Sequence, residues 1–487
     1  MMPRVLSPMP RTPIAAACLS LAVLTAACAT NPVSGKRELS MLSEAQEIAI
    51  GRESDAEVRR EMGVYDNPEL QRYVSDVGQR LAALSQRPNL PWTFTVVDVP
   101  AVNAFALPGG FIYLTRGILP YLDDEAELAG VLGHEIGHVT ARHAAQQYTR
   151  AATGGIGLAI LSIFVPATQP FGDLSSTALS LAFLKYGRDD ERESDRLGID
   201  YAARGGWDPT AVPRFLQTLS RMDELSERGV PNWLSTHPEP AARVIEAQPL
   251  AAKAASADAQ AKNRDEFLKQ IEGVVVGDNP KDGIVRGNTF IHPVLRFTME
   301  FPEGWDVTNT PSQVAAREPG QPYYMFLQTV DRPRGNTIDE IAARSMTAAK
   351  FREVNGENVS LGGLEAHIGV YQGSLPGAGK VMMRAAHIAN GRQVYLIAGF
   401  APADAFDKID RQVDASVRSF TALTARDADK VRANRLDFYT VRRGDSWQSI
   451  AARGGALVRA TELAIMNDHA VNEQPQPGDR IKIVVAG

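Results

Sequence analysis

The stretch VLGHEIGHVTARH, residues 131–143, decides how the rest of the chain is interpreted. On a helix, four residues turn the chain by about 400°, so His134 and His138 project from nearly the same face and can bind one ion. Glu135 lies about 100° round, where it can reach a water on that ion without ligating it. This is the HExxH arrangement, in which zinc acidifies the water and the glutamate takes its proton. His143 lies about 140° round from His138, so we expect it to point elsewhere and to be structural.

A five-residue motif arises by chance, so the test is a third ligand, because catalytic zinc usually has three protein ligands and an open position. The acidic segment YGRDDERESDRLGIDYAARGGWDP (186–209) has helical period and supplies one. Glu191 and Asp195 are four residues apart and share a face, whereas Glu193 points about 200° away from Glu191. We expect Glu191 to complete the site and Asp195 to accept a hydrogen bond from the free ring nitrogen of a ligating histidine. A solvated charged helix is the alternative.

The bulk composition is that of a soluble globular protein. The 487 residues suggest two or three domains, with 44% hydrophobic and 22% charged residues. The net charge of −6 gives no reason to expect nucleic acid as a partner. Cys18 and Cys28 both lie near the N-terminus, so the folded body forms no internal disulfide and rests on packed cores.

Residues 1–29 have the features of a bacterial export leader. The apolar run IAAACLSLAVLTAA (14–27) is too short to span a membrane comfortably. Its end, TAAC, resembles a lipobox, which would make Cys28 a lipidated N-terminus anchored in the outer membrane, although Thr25 stands where leucine is usual. Cleavage after Ala29 is the alternative and would release a soluble protein. Both interpretations predict export to the periplasm.

The remaining chain separates by composition and periodicity into four segments, and the predicted fold class is α+β. The segments are a mainly helical catalytic domain (30–250), a linker (251–283), an α+β domain (284–424) and a small C-terminal module (437–487). The start of the linker, 251–265, is rich in Ala, Lys and Asp, and a solvated helix is the alternative for it. The α+β domain shows no chemistry. We expect each of its scattered histidines to be an ordinary surface or core residue: His292, His367 and His387.

Two further elements of the catalytic domain are predicted from pattern. The stretch WTFTVVDV (92–99) has strand character, and NAFALPGGFIYLTRGIL (103–119) predicts a strand–turn–strand element, because a proline and paired glycines separate two apolar runs. The helix with two histidines is expected to begin near Asp123 and Asp124, whose charges suit the N-terminal end of a helix dipole.

The C-terminal module resembles a LysM domain. The resemblance rests on YTVRRGDSWQSIAAR (439–453), ELAIMND (462–468) and PGDRIKIV (477–484). It predicts a βααβ unit and implies binding to N-acetylated glycans such as peptidoglycan. The alternative is a retained fold that only packs on its neighbour.

The catalytic domain is similar to the HtpX-like and CAAX-prenyl-protease type of zinc metallopeptidases, and among them to the soluble, exported bacterial lipoproteins. The similarity rests on HEIGHVTARH, ERESDRLGIDYAARGGWDP, NAFALPGGFIYLTRGIL and STHPEPAARV, and near the N-terminus on ATNPVSGKRELSMLSE. It implies a zincin (gluzincin) fold, with one zinc ion per chain on His134, His138 and Glu191 and with Glu135 as general base. It also implies that the strand around Asn103, Ala104 and Phe105 is an edge that pairs with extended substrate, as exposed edges do.

His237 lies in NWLSTHPEPAAR (232–243), a proline-containing loop where a histidine has no obvious packing role. We predict it as a second catalytic residue, which could bind the metal as a fourth ligand in a resting form or stabilise the oxyanion during turnover. A helix-capping or surface role is the alternative.

Together these features predict a zinc-dependent endopeptidase of the bacterial envelope that acts on envelope or misfolded proteins. A chaperone or assembly factor for outer-membrane proteins, with little proteolytic turnover, is the alternative, and the sequence does not separate the two because both need the same groove. A glycan-binding protein with a structural zinc site is a third interpretation, against which an open fourth coordination position argues.

Overall fold

The computed structural model describes residues 28–153, 185–225, 233, 236–256, 258–311, 313–333, 335–375, 378–391 and 393–487. The predicted leader, 1–29, lies outside these residues except for its last two, where a short strand begins. Within the described ranges, no helix combines the length and apolar character that crossing a bilayer requires. The mixture of helices and sheets agrees with the predicted α+β class.

The N-terminal domain is mainly helical. Its helices are α1 (Glu44–Met62), α2 (Pro68–Ala82), α3 (Glu125–Thr140), α4 (His143–Thr153), α5 (Arg188–Arg204), α6 (Ala211–Leu225) and α7 (Pro240–Ala254). Its strands are β1 (Cys28–Thr30), β2 (Arg37–Leu39), β3 (Thr93–Val97), β4 (Ala104–Leu107) and β5 (Phe111–Thr115), and a 3-10 helix spans Arg116–Tyr121.

A three-stranded sheet in the order β3-β5-β4 lies beside these helices. Strand β5 runs parallel to β3 and antiparallel to β4, with Phe105 opposite Tyr113. The predicted strand and strand–turn–strand element are therefore confirmed. The turn needs its paired glycines because Gly109 and Gly110 have φ of 83° and 101°, a region that residues with a β-carbon avoid. Among the described strands, β4 forms one edge of this sheet.

Helix α3 is buried along its whole length. It begins where the sequence predicts, because the Asp124 carboxylate accepts a hydrogen bond from the backbone N–H of Glu127 at 2.9 Å. Helix α5 crosses it at two glycines, where a β-carbon on Gly133 would lie 3.1 Å from the Cα of Gly198. The two backbones therefore touch, and α5 lies directly against the helix that carries the histidine pair.

The segment predicted as a linker, 251–283, is packed against the N-terminal domain, so that prediction is wrong. Helix α7 continues to Ala254, and helix α8 (Arg264–Ile271) and strand β6 (Val275–Val276) follow. Helix α8 contributes three fully buried side chains to the core that also contains α2 and α3: Phe267, Leu268 and Ile271. The charged and alanine-rich composition hides this short apolar face.

The next domain has separate cores of its own. Its strands are β7 (Ile284–Arg286), β8 (Thr289–His292), β9 (Phe297–Glu300), β10 (Asp306–Asn309), β11 (Gln313–Arg317), β12 (Tyr324–Val330), β13 (Arg352–Leu361), β14 (Leu364–Leu375), β15 (Gly379–Asn390), β16 (Gln393–Pro402) and β17 (Thr421–Ala422). Its helices are α9 (Ile338–Ala348), α10 (Asp410–Arg418) and α11 (Ala425–Ala428). The described strands form an antiparallel seven-stranded sheet, β10-β11-β12-β16-β15-β14-β13, and a four-stranded sheet, β17-β9-β8-β7.

The C-terminal module is the predicted βααβ unit, formed by β18 (Asn434–Thr440), α12 (Trp447–Arg453), α13 (Ala460–Met466) and β19 (Arg480–Ala486). Ser446 caps α12, its side chain accepting from the backbone N–H of Ser449. Strand β18 pairs with β19 on one side and with β6 on the other. The module is therefore joined by backbone hydrogen bonds to the segment that packs on the N-terminal domain.

Candidate metal centre

Four side chains from α3, α5 and the segment before α7 converge in the N-terminal domain. In the described part of the chain they form the one cluster of metal-binding side chains found, with one ligand atom from each within 4.8 Å of the others: His134, His138, Glu191 and His237. All four are buried, with at most 3% of any residue exposed. Helical spacing and the contact between the α3 and α5 backbones bring the first three together.

The separations between these ligand atoms suit a tetrahedral ion. His134 Nε2 lies 3.0 Å from His138 Nε2 and 3.3 Å from His237 Nδ1. Glu191 Oε1 lies 3.0 Å from His237 Nδ1 and 3.5 Å from His138 Nε2. Ligands about 2.0 Å from a tetrahedral zinc lie about 3.3 Å from one another. The donor set, three imidazoles and one carboxylate, is also one that zinc prefers, so these residues fit the metal.

Glu135 lies next to this cluster and is fully buried. Neither carboxylate oxygen has a hydrogen-bond partner among the described residues, and Oε1 lies 3.6 Å from His237 Nε2. Burial raises the pKa of Glu135, opposed by His237 and His134. An unpaired buried carboxylate is costly, and here it provides a proton acceptor beside the ligand atoms.

The second ring nitrogens of the two α3 histidines also have close neighbours. His134 Nδ1 lies 2.9 Å from Asp195 Oδ1. His138 Nδ1 lies 2.9 Å from His143 Nδ1, and His143 Nε2 lies 3.3 Å from Glu193 Oε2. Burial and the neighbouring histidines lower the pKa of His138, which keeps its ring neutral and able to bind a cation.

The expectation that His143 points away from the site is therefore wrong. It assumed one continuous helix, but α3 ends at Thr140 and Arg142 has φ of 62°, which starts α4 in a new direction. The turn brings His143 back against His138. Its predicted structural character is compatible with this position, because it contacts a cluster histidine without joining the cluster.

His237 is buried, so its alternative surface role is also wrong. Its ring stacks on Trp233 with centroids 4.4 Å apart and planes inclined by 25°. Its Nδ1 atom lies 3.3 Å from His134 Nε2 and 3.0 Å from Glu191 Oε1. The prolines around it predicted an exposed loop, whereas the ring is packed against Trp233.

Sequence reasoning missed Arg243, the fourth residue of α7. Its guanidinium donates to Asp195 from Nε at 2.8 Å and from Nη2 at 2.6 Å, and its Nη1 lies 2.5 Å from Glu191 Oε2. Burial would raise the pKa of Asp195, but Arg243 and His134 hold it well below its usual range. The signal was present in STHPEPAARV, where the arginine follows His237 by six residues, but arginines are seldom fully buried.

Strand β4 lies beside the cluster. A small cavity between them is lined by Ala106, Leu107, His138, Val139 and Tyr186. Among the described strands, β4 pairs only with β5. Ala104 and Phe105 belong to the strand, and Asn103 immediately precedes it, with its backbone N–H donating to Thr115 Oγ1 at 2.9 Å.

Comparison with known families and proteins agrees with this geometry. Residues 68–251 match the model of peptidase family M48, and residues 439–484 match the LysM domain. The chain therefore carries a peptidase M48 domain and a C-terminal LysM domain, which confirms the resemblance predicted from the motifs. Residues 68–251 are called the peptidase domain below.

Several curated proteins are similar to this chain. "Beta-barrel assembly-enhancing protease" of Escherichia coli (strain K12) is 33% identical over 228 residues, which cover 45% of this chain and 46% of that protein. "Mitochondrial metalloendopeptidase OMA1" of Arabidopsis thaliana is 32% identical over 206 residues, covering 42% of this chain and 40% of that protein. The chain spans about half the length of the curated relatives it matches. Among solved structures, CyanoP of Synechocystis sp. PCC 6803 aligns at 13% identity and a TM-score of 0.24, over 28% of this chain and 95% of that one.

Proposed function

We propose that the protein is a zinc-dependent endopeptidase of the bacterial cell envelope. The observation that carries this proposal is the pair of unpartnered Glu135 carboxylate oxygens, buried beside four converging ligand atoms in a peptidase family M48 domain. In this proposal His134, His138 and Glu191 hold one zinc ion per chain, in the gluzincin arrangement of two ligands on one helix and a third on a later helix.

The reaction follows from the positions of the side chains. A zinc ion at this site supplies Lewis-acid polarisation of the scissile carbonyl and acidifies a water. Glu135 accepts the proton of that water and then donates it to the leaving nitrogen. Asp195 fixes the orientation of the His134 ring, because it lies 2.9 Å from Nδ1. Arg243 contacts both Asp195 and Glu191, which fixes the two carboxylates relative to each other and offsets part of their negative charge.

His237 has two roles in this proposal. Its Nδ1 lies among the ligand atoms, which supports a fourth-ligand role in a resting form. Its Nε2 lies on the Glu135 side of the ring. When a substrate takes the place of His237 at the metal, the imidazole therefore remains within reach of the reacting carbonyl. A hydrogen bond from His237 to the developing oxyanion would then lower the barrier.

The edge position of β4 supports a substrate-binding role for Asn103, Ala104 and Phe105. An extended peptide can add to an unpaired edge through backbone hydrogen bonds, which give affinity with little dependence on sequence. That property suits an enzyme that acts on misfolded or unassembled envelope proteins. The name of the Escherichia coli relative, which refers to β-barrel assembly, supports the same class of substrate.

The envelope location rests on the two ends of the chain. Residues 1–29 have the features of an export leader, and lipidation of Cys28 would anchor the protein in the outer membrane. The LysM domain supports binding to peptidoglycan. In this proposal the peptidase acts in the periplasm, between the outer membrane and the cell wall.

The decisive experiment compares casein cleavage by the wild type and Glu135→Gln, with zinc measured in both proteins. The variant should retain zinc and its fold but lose proteolysis, because the amide no longer accepts a proton. Glu193→Gln is the matched control. It makes the same chemical change on the neighbouring helix α5, outside the cluster, and should remain active. Zinc loss together with activity in Glu135→Gln would contradict the role of general base.

An assembly factor with little proteolytic turnover is the second candidate, supported by the name of the same relative. The Glu135→Gln variant also separates the two. If assembly of outer-membrane proteins requires proteolysis, this variant fails to complement a deletion strain. If it complements fully, the assembly role is independent of cleavage.

A further inference from the structure

The LysM module, residues 434–487, shares a hydrophobic core with the peptidase domain. Leu436, Met466 and Val484 belong to the same buried cluster as residues of α2, α3 and α6. Helix α13 packs against α6 and against the 3-10 helix at Arg116–Tyr121. Tethered domains usually keep separate cores and meet through smaller, more polar surfaces, so this arrangement differs from a module on a linker.

Lys482 on β19 joins the LysM module to the peptidase domain. Its side chain is fully buried, and Nζ donates to the backbone carbonyl of Leu122 at 2.7 Å and lies 2.9 Å from Asp123 Oδ1. Leu122 and Asp123 are the two residues before Asp124, the N-cap of α3. A lysine is almost never fully buried unless its charge is paired. Its partner here is the start of the helix that carries His134, Glu135 and His138.

Further polar contacts surround this ion pair. Arg221 on α6 contacts Asp468 at 2.7 Å, and the Tyr121 hydroxyl donates to Glu462 at 2.9 Å. On the module side, Asn467 holds the β19 backbone, accepting from the N–H of Lys482 at 2.7 Å and donating to its carbonyl at 3.0 Å. The contact thus combines apolar packing, a buried charge pair and backbone pairing.

We propose that the LysM module and the peptidase domain form one cooperative folding unit, so that an N-acetylated glycan bound to the module stabilises the peptidase domain. The glycan part rests on the proposed function of the module. The coupling follows from mass action: a ligand that binds only the folded form stabilises everything that unfolds together with its site. The cell wall would then protect the peptidase as well as localise it.

The test perturbs a part of the module core that contains no peptidase residue. Trp447 lies in a cluster with Val441, Ile450 and Leu463 that contains only module residues. Trp447→Ala, made in the Glu135→Gln protein so that no proteolysis occurs, should accelerate amide hydrogen exchange in β19 by about 100-fold or more. In one cooperative unit the amides of α3 and α6 accelerate by the same factor. Acceleration confined to the module would overturn the proposal.

Two further variants keep the test informative. Phe297→Ala removes an equally buried aromatic ring from the separate core of the α+β domain and should leave exchange in α3 unchanged. If Trp447→Ala does not fold, Ile450→Val is a milder change in the same module cluster and should accelerate both regions equally, by about 2- to 10-fold.

A chitin oligosaccharide tests the glycan part. Saturation of the module with it should slow exchange in α3 by the same factor as in β19. Calorimetry on the same sample measures binding independently. Binding without protection of α3 would overturn the coupling, and absence of binding would overturn the glycan part. Neither result depends on peptidase activity, so failure of the proposed catalytic function is detected separately, by the casein assay.

Discussion

Replacing Arg243 with methionine should selectively destabilise the metal-free site. The guanidinium makes two hydrogen bonds to Asp195, at 2.8 and 2.6 Å, and contacts Glu191. Methionine fills similar space but leaves two buried carboxylates without their shared cation. Removing one partner of a buried ion pair typically costs about 3–5 kcal/mol. We expect a loss of that size in the free energy of opening of α5 and α7.

Zinc should reduce this loss, because a dication beside Glu191 replaces part of the missing positive charge. Hydrogen exchange in α5 and α7, measured with zinc and after dialysis against a chelator, gives both values. Arg192→Met is the matched control: it removes an exposed arginine of α5 that pairs with Glu246, and it should change neither value measurably. Arg243→Lys keeps the charge without the planar fork and should fall between the wild type and Arg243→Met.

A loss below about 1 kcal/mol in metal-free Arg243→Met, within the range of ordinary surface changes, would refute the proposed role of Arg243. An equal loss with and without zinc would refute the compensation by the metal. Either result would mean that the two carboxylates are held by other contacts.

Two further predictions concern the zinc ligands and the α+β domain. Metal analysis should show little or no zinc in Glu191→Ala and a full complement in Glu193→Ala. In Asp195→Ala the zinc affinity should fall by about 10- to 100-fold. Zinc lost only from Glu193→Ala would contradict the assignment of Glu191 as the third ligand. Burial, aided by His367, lowers the pKa of His387 to about 3, against about 6.5 in an unfolded chain. The neutral ring therefore stabilises the fold fully above about pH 6.5, and this stability is lost as the pH falls towards 3, by about 2 kcal/mol at pH 5. His387→Leu should remove that part of the pH dependence of unfolding of the α+β domain, measured by denaturant titration, and an unchanged slope would contradict it.

The convergence of His134, His138 and Glu191 is predictable from the sequence because it depends on helical periodicity alone. Once α3 and α5 are recognised as helices, the spacing of four residues fixes which side chains share a face. The same argument separates Glu191 from Glu193. The structure places the first in the cluster and the second beside His143.

Three features that the sequence did not predict break a general preference. Arg142 adopts positive φ, which is uncommon for a residue with a β-carbon, and this break redirects His143. Arg243 and Lys482 are buried although both residue types are usually exposed. In each case a specific tertiary partner outweighs the preference, and a single sequence does not reveal that partner.

The close contact between α3 and α5 has a consequence for how the site tolerates change. Since Gly133 and Gly198 have no side chains, the spacing of the two helices is set by atoms that every amino acid possesses. Gly137 on α3 makes the same kind of approach, because a β-carbon there would lie 3.1 Å from the Cα of Ser194 on α5. The position of the α3 histidines relative to Glu191 therefore depends on glycines that themselves perform no chemistry.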